Sequence, residues 1–136
     1  MPRILLIDDD LNLRTVVCHS LVQAGYEVAE ASDGKRGLEL HLASPAELII
    51  TDIVMPETEG LEVLMTLKKR LSQAKVLAIS GGGSSLARDY LRTAQLLGAD
   101  GVLAKPFSLE ELLAAVARLA PVAAADPGPA RVCGAG

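Results

Sequence analysis

Apolar and polar positions along this chain switch repeatedly between a strand-like and a helix-like period. Arg3 to Ile7 is a short apolar run stopped by Asp8-Asp9-Asp10. Leu11, Val16, Val17, Leu21 and Val22 then recur at helical spacing up to Ala24, with Gly25 as a C-terminal stop and Asp9 or Asp10 as the N-cap. Tyr26 to Ala31 predicts a second strand, and Ser32-Asp33-Gly34 opens a helix to about Leu42 that Ser44-Pro45 breaks. Glu47 to Thr51 predicts a third strand ending at Asp52. Its residues are apolar on both faces, the mark of a buried parallel strand. Gly60 to Leu71 reads as a third helix, and Lys75 to Ser80 as a fourth strand. Gly81-Gly82-Gly83-Ser84-Ser85 leads into a fourth helix ending near Gly98. Gly101 to Ala104 is a fifth strand, closed by Lys105-Pro106-Phe107. The last helix starts at a capping box, Ser108 with Glu111, and runs to about Leu119.

Five strands alternating with five helices predict an α/β domain, a doubly wound parallel sheet with helices on both faces and right-handed crossovers. Residues 1–120 form this domain. Residues 121–136 are rich in Ala, Pro and Gly without periodicity, and are expected to be a flexible tail.

Composition narrows the possibilities further. A chain of 136 residues, half of them hydrophobic, is one globular domain. With no Trp, one Phe and two Tyr, its core must come from Leu, Val, Ile and Ala. Thirteen Lys and Arg against seventeen Asp and Glu, a net charge of -4, argue against a nucleic-acid-binding face. The one dense basic run, Lys68-Lys69-Arg70, closes a helix, where cations complement the dipole. Cys18 falls in a helical pattern and Cys133 in the tail, so no framework disulfide is expected. No apolar run approaches the roughly 20 residues of a membrane span, and the first strand leaves no room for a targeting peptide. A reducing, cytoplasmic setting without membrane attachment is the expectation.

The candidate chemistry lies at the strand ends. Asp8 and Asp9 close the first strand, Asp52 the third, Ser80 the fourth and Lys105 the fifth. A parallel sheet exposes all these ends on one edge, the usual ligand edge of such folds. Taken singly, the aspartates could cap a helix or turn, Ser80 could be a strand-end hydroxyl, and Lys105 a solvated charge. Their convergence argues for more. Crowded carboxylates repel unless a cation shares the site, and Mg2+ suits one or two carboxylates, waters and a phosphoryl oxygen. Asp52 would then be a nucleophile forming an aspartyl phosphate, with metal and Lys105 offsetting the charge and Ser80 hydrogen-bonding a phosphoryl oxygen.

Ile4-Leu5-Leu6-Ile7-Asp8-Asp9-Asp10, Asp52-Ile53-Val54-Met55-Pro56 with Gly60, Ser80, and Lys105-Pro106-Phe107 closely resemble the receiver domain of two-component response regulators, in that family's order and approximate spacing. The resemblance spans about Arg3 to Leu119. It implies a flavodoxin-like fold with strand order 2-1-3-4-5, and Asp52 as acceptor of a phosphoryl group from a sensor histidine kinase or a histidine phosphotransfer protein. It implies Mg2+ (or Mn2+) held by Asp9, Asp52 and the backbone carbonyl of Val54, with Asp8 holding a metal-bound water or assisting. Val54, Ser80, Gly81 and Lys105 would form the phosphoryl shell, and Pro106 would follow a cis peptide bond. A stand-alone phosphoprotein of this kind catalyses only its own phosphorylation and dephosphorylation and is not otherwise an enzyme. It would switch a downstream protein target or relay the group. The sequence leaves open a homodimer across the fourth helix, fifth strand and fifth helix.

Two features depart from the family. Many receivers carry Tyr or Phe three residues before the strand-five Lys, where this chain has Val102, so an aromatic rotamer switch cannot operate there. The segment from Ser80 to Gly98 is also longer than is common and begins with three glycines, which predicts a pliable start to the fourth helix. It lacks the downstream Gly-Lys-Ser/Thr of a nucleotide-binding loop. His19 and His41 lie in helical patterns and are expected at the surface. Two other classes compete: a pseudo-receiver that binds without phosphorylation, and a small Mg2+-dependent phosphohydrolase. The second rests on the Asp8-Asp9-Asp10 run, which loosely resembles the haloacid-dehalogenase motif but has Asn12 where Thr or Val is usual.

Overall fold

Leu48-Ile49-Ile50-Thr51 can be apolar on both faces because its strand lies inside a sheet covered by helices, with every residue of the strand buried. A computed structural model describes residues 2–52, 74–80, 92, 95, 98–122 and 134–135. The elements are β1 (Arg3–Ile7), α1 (Leu11–Gln23), β2 (Glu27–Ala31), α2 (Gly34–Ala43), β3 (Leu48–Asp52), β4 (Lys75–Ser80), β5 (Gly101–Ala104), α3 (Leu109–Leu119) and β6 (Gly134–Ala135). All strand pairs are parallel, in the order β5-β4-β3-β1-β2-β6. The first five strands thus have the 2-1-3-4-5 order of the flavodoxin-like fold. The third predicted helix and most of the fourth lie outside the described residues.

Alternation along each strand divides the core in two. Leu5, Ile7, Ile49, Val76 and Ala78 pack on one face of the sheet, joined by Leu38 of α2. Ile4, Leu6, Leu48, Ile50 and Leu77 pack on the other, against Val17, Cys18 and Leu21 of α1 and Leu112 and Val116 of α3. Gly37 lets α2 approach β1 closely: a Cβ there would stand 2.8 Å from Ile7 Cγ1. Gly25, at φ +101°, turns the chain out of α1 as expected of a stop glycine. The Tyr26 hydroxyl donates to the Ala120 carbonyl at 2.8 Å and ties the end of α3 to the start of β2.

The helix starts follow the local signals. Asp10 caps α1, its side chain accepting from the backbone N–H groups of Asn12 and Leu13. Asp33 caps α2 by accepting from Arg36 N–H, and the Ser108–Glu111 capping box opens α3.

Four tertiary outcomes differ from the periodicity alone. Leu11 and Val16, part of the expected stripe of α1, are 61% and 51% exposed, because α1 turns Val17, Cys18 and Leu21 to the sheet. Cys18 is disulfide-bonded rather than free. His19 is exposed as expected, but His41 is 2% exposed. It lies on the inward stripe of α2 with Gly34 and Gly37, and its Nδ1 accepts from Ala46 N–H at 3.0 Å. Gly134–Ala135, from the stretch expected to be a tail, pairs with Ala29 and Glu30 along the outer edge of β2. Among the described residues, no helix is long and apolar enough to cross a membrane.

Candidate functional site

The parallel register brings the functional strand ends together. Ile7 stands beside Thr51, Asp52 beside Ile79, and Ser80 beside Ala104, so the residues at or just past these positions share one edge. Asp8 leaves β1 with its N–H donating to the Ala31 carbonyl at 3.1 Å. Its carboxylate is buried; Oδ1 accepts from Asp10 N–H at 2.9 Å and Oδ2 from Lys105 Nζ at 3.4 Å. Burial pushes the Asp8 carboxyl above the usual aspartate range and the charge of Asp52 adds to this, outweighing the Asp10 N–H and Lys105. Asp52, last residue of β3, is 4% exposed, and its Oδ2 accepts from Lys105 Nζ at 3.0 Å. Ser80, last residue of β4, is fully buried.

Lys105 reaches the site because its backbone extends the β4–β5 pairing by one step. Its N–H donates to the Ser80 carbonyl at 2.7 Å, and a cis peptide bond to Pro106 follows, as expected. Burial pulls the ammonium's pKa down. The hydrogen bond and charge of Asp52, with those of Asp8, outweigh burial and hold it above the ordinary lysine value.

Asp9 is exposed and completes the acidic group. Asp8, Asp9 and Asp52 each offer a carboxylate oxygen, and the three oxygens lie within 4.8 Å of one another. Three oxygens this close can converge on one octahedral Mg2+, which takes one or two carboxylates and fills its remaining positions with water. The charge also fits. Three carboxyl groups face one ammonium, and a divalent cation would offset the negative charge that Lys105 leaves unmatched. Oxygen-only donors suit a hard cation such as Mg2+ rather than a thiophilic metal.

Of the sequence-derived site residues, Asp8, Asp9, Asp52, Ser80 and Lys105 converge at this edge. Val54 and Gly81 lie outside the described residues. Val102 stands beside Ala78 in β5 and packs on the Leu5–Ile7–Ile49 layer, with no ring to rotate. Arg14 and Glu30 were not anticipated. Arg14 Nη1 donates to the Asp8 carbonyl at 2.8 Å, and its Nε donates to Glu30 Oε1 at 3.2 Å. The one sequence signal is a charged residue one turn past the α1 cap, too common to single out.

Comparison with known proteins agrees with this geometry. Residues 4–117 match the family model described as the response regulator receiver domain. The chain is 37% identical over 121 residues to the "DNA-binding dual master transcriptional regulator RpaA" of Synechocystis sp., covering 88% of this chain and 49% of that protein. It is 31% identical to the "Probable chemotaxis protein CheY" of Rhizobium etli, covering 84% of this chain and 88% of that protein. The chain thus spans about half the length of the first regulators it matches, but most of the chemotaxis protein. Among solved structures, the chemotaxis response regulator CheY4 of Vibrio cholerae superposes with a TM-score of 0.74 at 32% identity, covering 88% of this chain and 98% of that one. A Francisella response regulator receiver domain gives a TM-score of 0.78 at 28% identity, over 88% and 96% of the two chains. With its acidic strand ends, its 2-1-3-4-5 sheet and a family match over nearly the whole described domain, the chain belongs to the response regulator receiver family.

Proposed function

We propose that this receiver accepts a phosphoryl group on Asp52 from a phosphohistidine of a sensor kinase or phosphotransfer protein. The observation that carries the reading is Lys105 Nζ, held between Asp52 Oδ2 at 3.0 Å and Asp8 Oδ2 at 3.4 Å, with Asp9 completing the acidic group. A carboxylate oxygen of Asp52 attacks phosphorus, a P–O bond forms, and the P–N bond breaks with its electron pair leaving on the imidazole nitrogen. Lys105 follows the charge from the carboxylate to a phosphoryl oxygen, and the buried Ser80 hydroxyl is placed at the same edge to hydrogen-bond another.

Asp8, Asp9 and Asp52, joined by the Val54 carbonyl, would hold Mg2+ (or Mn2+). When bound, the ion supplies charge neutralisation for the carboxylates and the transferring group. The chain's own chemistry ends there: it carries and loses one phosphoryl group and turns over no other substrate.

In this reading the phosphoryl group shifts a two-state equilibrium at the sheet edge that a downstream protein reads, or the group is relayed onward. The setting in this reading is cytoplasmic, and the receiver acts in the manner of the chemotaxis proteins it resembles over most of their length. The test is intact mass after incubation with Mg2+ and acetyl phosphate, beside Asp52→Asn. A single phosphoryl adduct on the wild type alone is expected. A folded wild type that gains none would refute the reading and favour a pseudo-receiver.

A further inference from the structure

Arg14 and Glu30 form an ion pair largely withdrawn from water, each side chain 14% exposed, next to the acidic edge. Two ions in such a place recover only part of their desolvation cost, so stability alone is a poor account of them. Their geometry suggests another role. The planar guanidinium addresses two acceptors at once, Glu30 Oε1 through Nε and the Asp8 carbonyl through Nη1. The Asp8 N–H is already held by the Ala31 carbonyl of β2. The backbone is therefore pinned on both sides of the Asp8 Cα, by the sheet before it and by Arg14 after it.

The Asp8–Asp9 peptide is planar, so fixing its carbonyl fixes its orientation and where Asp9 departs. Asp9 depends on that. Its carboxylate is exposed and, among the described residues, no donor holds it. Only its backbone places it within 4.8 Å of the Asp8 and Asp52 oxygens. We propose that the Arg14–Glu30 pair is a positioning device for metal binding, orienting the Asp8–Asp9 peptide so that both carboxylates meet Asp52 around one divalent cation. The inference rests on the Mg2+ reading above.

Positioning and simple charge make opposite predictions. By Coulomb's law, deleting a cation beside a divalent site tightens metal binding. Deleting the residue that orients the ligands weakens it, and outer-shell substitutions typically cost 10–100-fold in metal affinity. The experiment follows the 136-residue chain's unfolding midpoint against Mg2+ concentration in the wild type, Arg14→Met, Arg14→Lys and Arg3→Met. Arg3 is the control. It pairs with Glu27 at 2.9 Å and links β1 to β2 at the end of the strands away from Asp8.

The expected result is a half-saturating Mg2+ concentration raised roughly tenfold or more in Arg14→Met, less in Arg14→Lys, and unchanged in Arg3→Met. Phosphorylation by acetyl phosphate should recover at saturating Mg2+. A wild-type or tighter Mg2+ affinity in Arg14→Met, or an equal loss in Arg3→Met, overturns the proposal. If Arg14→Met does not fold, Arg14→Lys keeps the charge, loses the fork and carries the same decision. A wild type that Mg2+ does not stabilise overturns the metal reading itself, and this inference with it.

Discussion

Replacing Lys105 by Gln should destabilise the metal-free protein by far more than a surface substitution, and Mg2+ should remove most of the deficit. Nζ lies 3.0 Å from Asp52 Oδ2 and 3.4 Å from Asp8 Oδ2, and those side chains are only 6% and 3% exposed. At an effective dielectric of about 20 the two attractions are worth about 5.5 and about 4.9 kcal/mol gross. Desolvation offsets most of that sum, and breaking a buried pair by removing one partner costs about 3–5 kcal/mol. Two factors reduce the figure here. The Lys105 side chain is 21% exposed, and burial raises the Asp8 pKa, so neutralising that carboxyl costs less than at an ordinary aspartate. A loss of about 2–3 kcal/mol near neutral pH is therefore expected. The chain has no Trp, so urea unfolding is best followed by far-UV circular dichroism, with and without saturating Mg2+. A divalent cation replaces the missing charge, so the deficit should fall below about 1 kcal/mol when Mg2+ is present. An equal deficit in both conditions would refute the premise that ammonium and metal answer to one anionic cluster.

Acid sensitivity should come in part from His41, whose imidazole burial holds below the ordinary value of 6.5 while Nδ1 accepts from Ala46 N–H. The neutral ring is favoured on folding, so its contribution is complete above 6.5 and is lost as pH falls from there toward the lower folded value, at about 1.4 kcal/mol per pH unit. His41→Gln should flatten that limb of the urea midpoint against pH, and an equally steep limb would count against the assignment. Gly37→Ala sets a helix-propensity gain of about 1 kcal/mol against an overpacking cost of about 1–3 kcal/mol. With the new Cβ 2.8 Å from Ile7 Cγ1 and the terminal Ile7 methyl closer still, the cost should win. Ile7→Val, which removes that methyl, should then shrink the effect of Gly37→Ala, and strictly additive losses would show that the clash is relieved elsewhere.

Much of the site was legible because its members sit at the ends of short apolar runs. A strand that stops in Asp8, Asp52 or Ser80 declares its own boundary, and parallel topology does the rest by placing every carboxyl end on one edge. Caps are equally local: Asp10, Asp33 and Ser108 act on N–H groups two or three residues away. The cis bond before Pro106 and the missing aromatic at Val102 came through likeness to the family, not through periodicity.

Helical periodicity was less informative about which face turns inward. It marked Leu11 and Val16 as core, but α1 presents Val17, Cys18 and Leu21 to the sheet, and it put at the surface a His41 that α2 buries. A helix with apolar residues on several sides does not state its own rotation; the sheet it covers chooses. By itself, then, the sequence determined the order of the described elements from β1 to α3, their caps and the identity of the converging groups, since these depend on contacts within a few residues. Tertiary structure alone decided that Arg14 meets Glu30 sixteen positions away and that Lys105 meets Asp8 ninety-seven positions away. The physical reason is distance along the chain: such pairs form only once the helices have docked and the strands have aligned, and no local pattern encodes them.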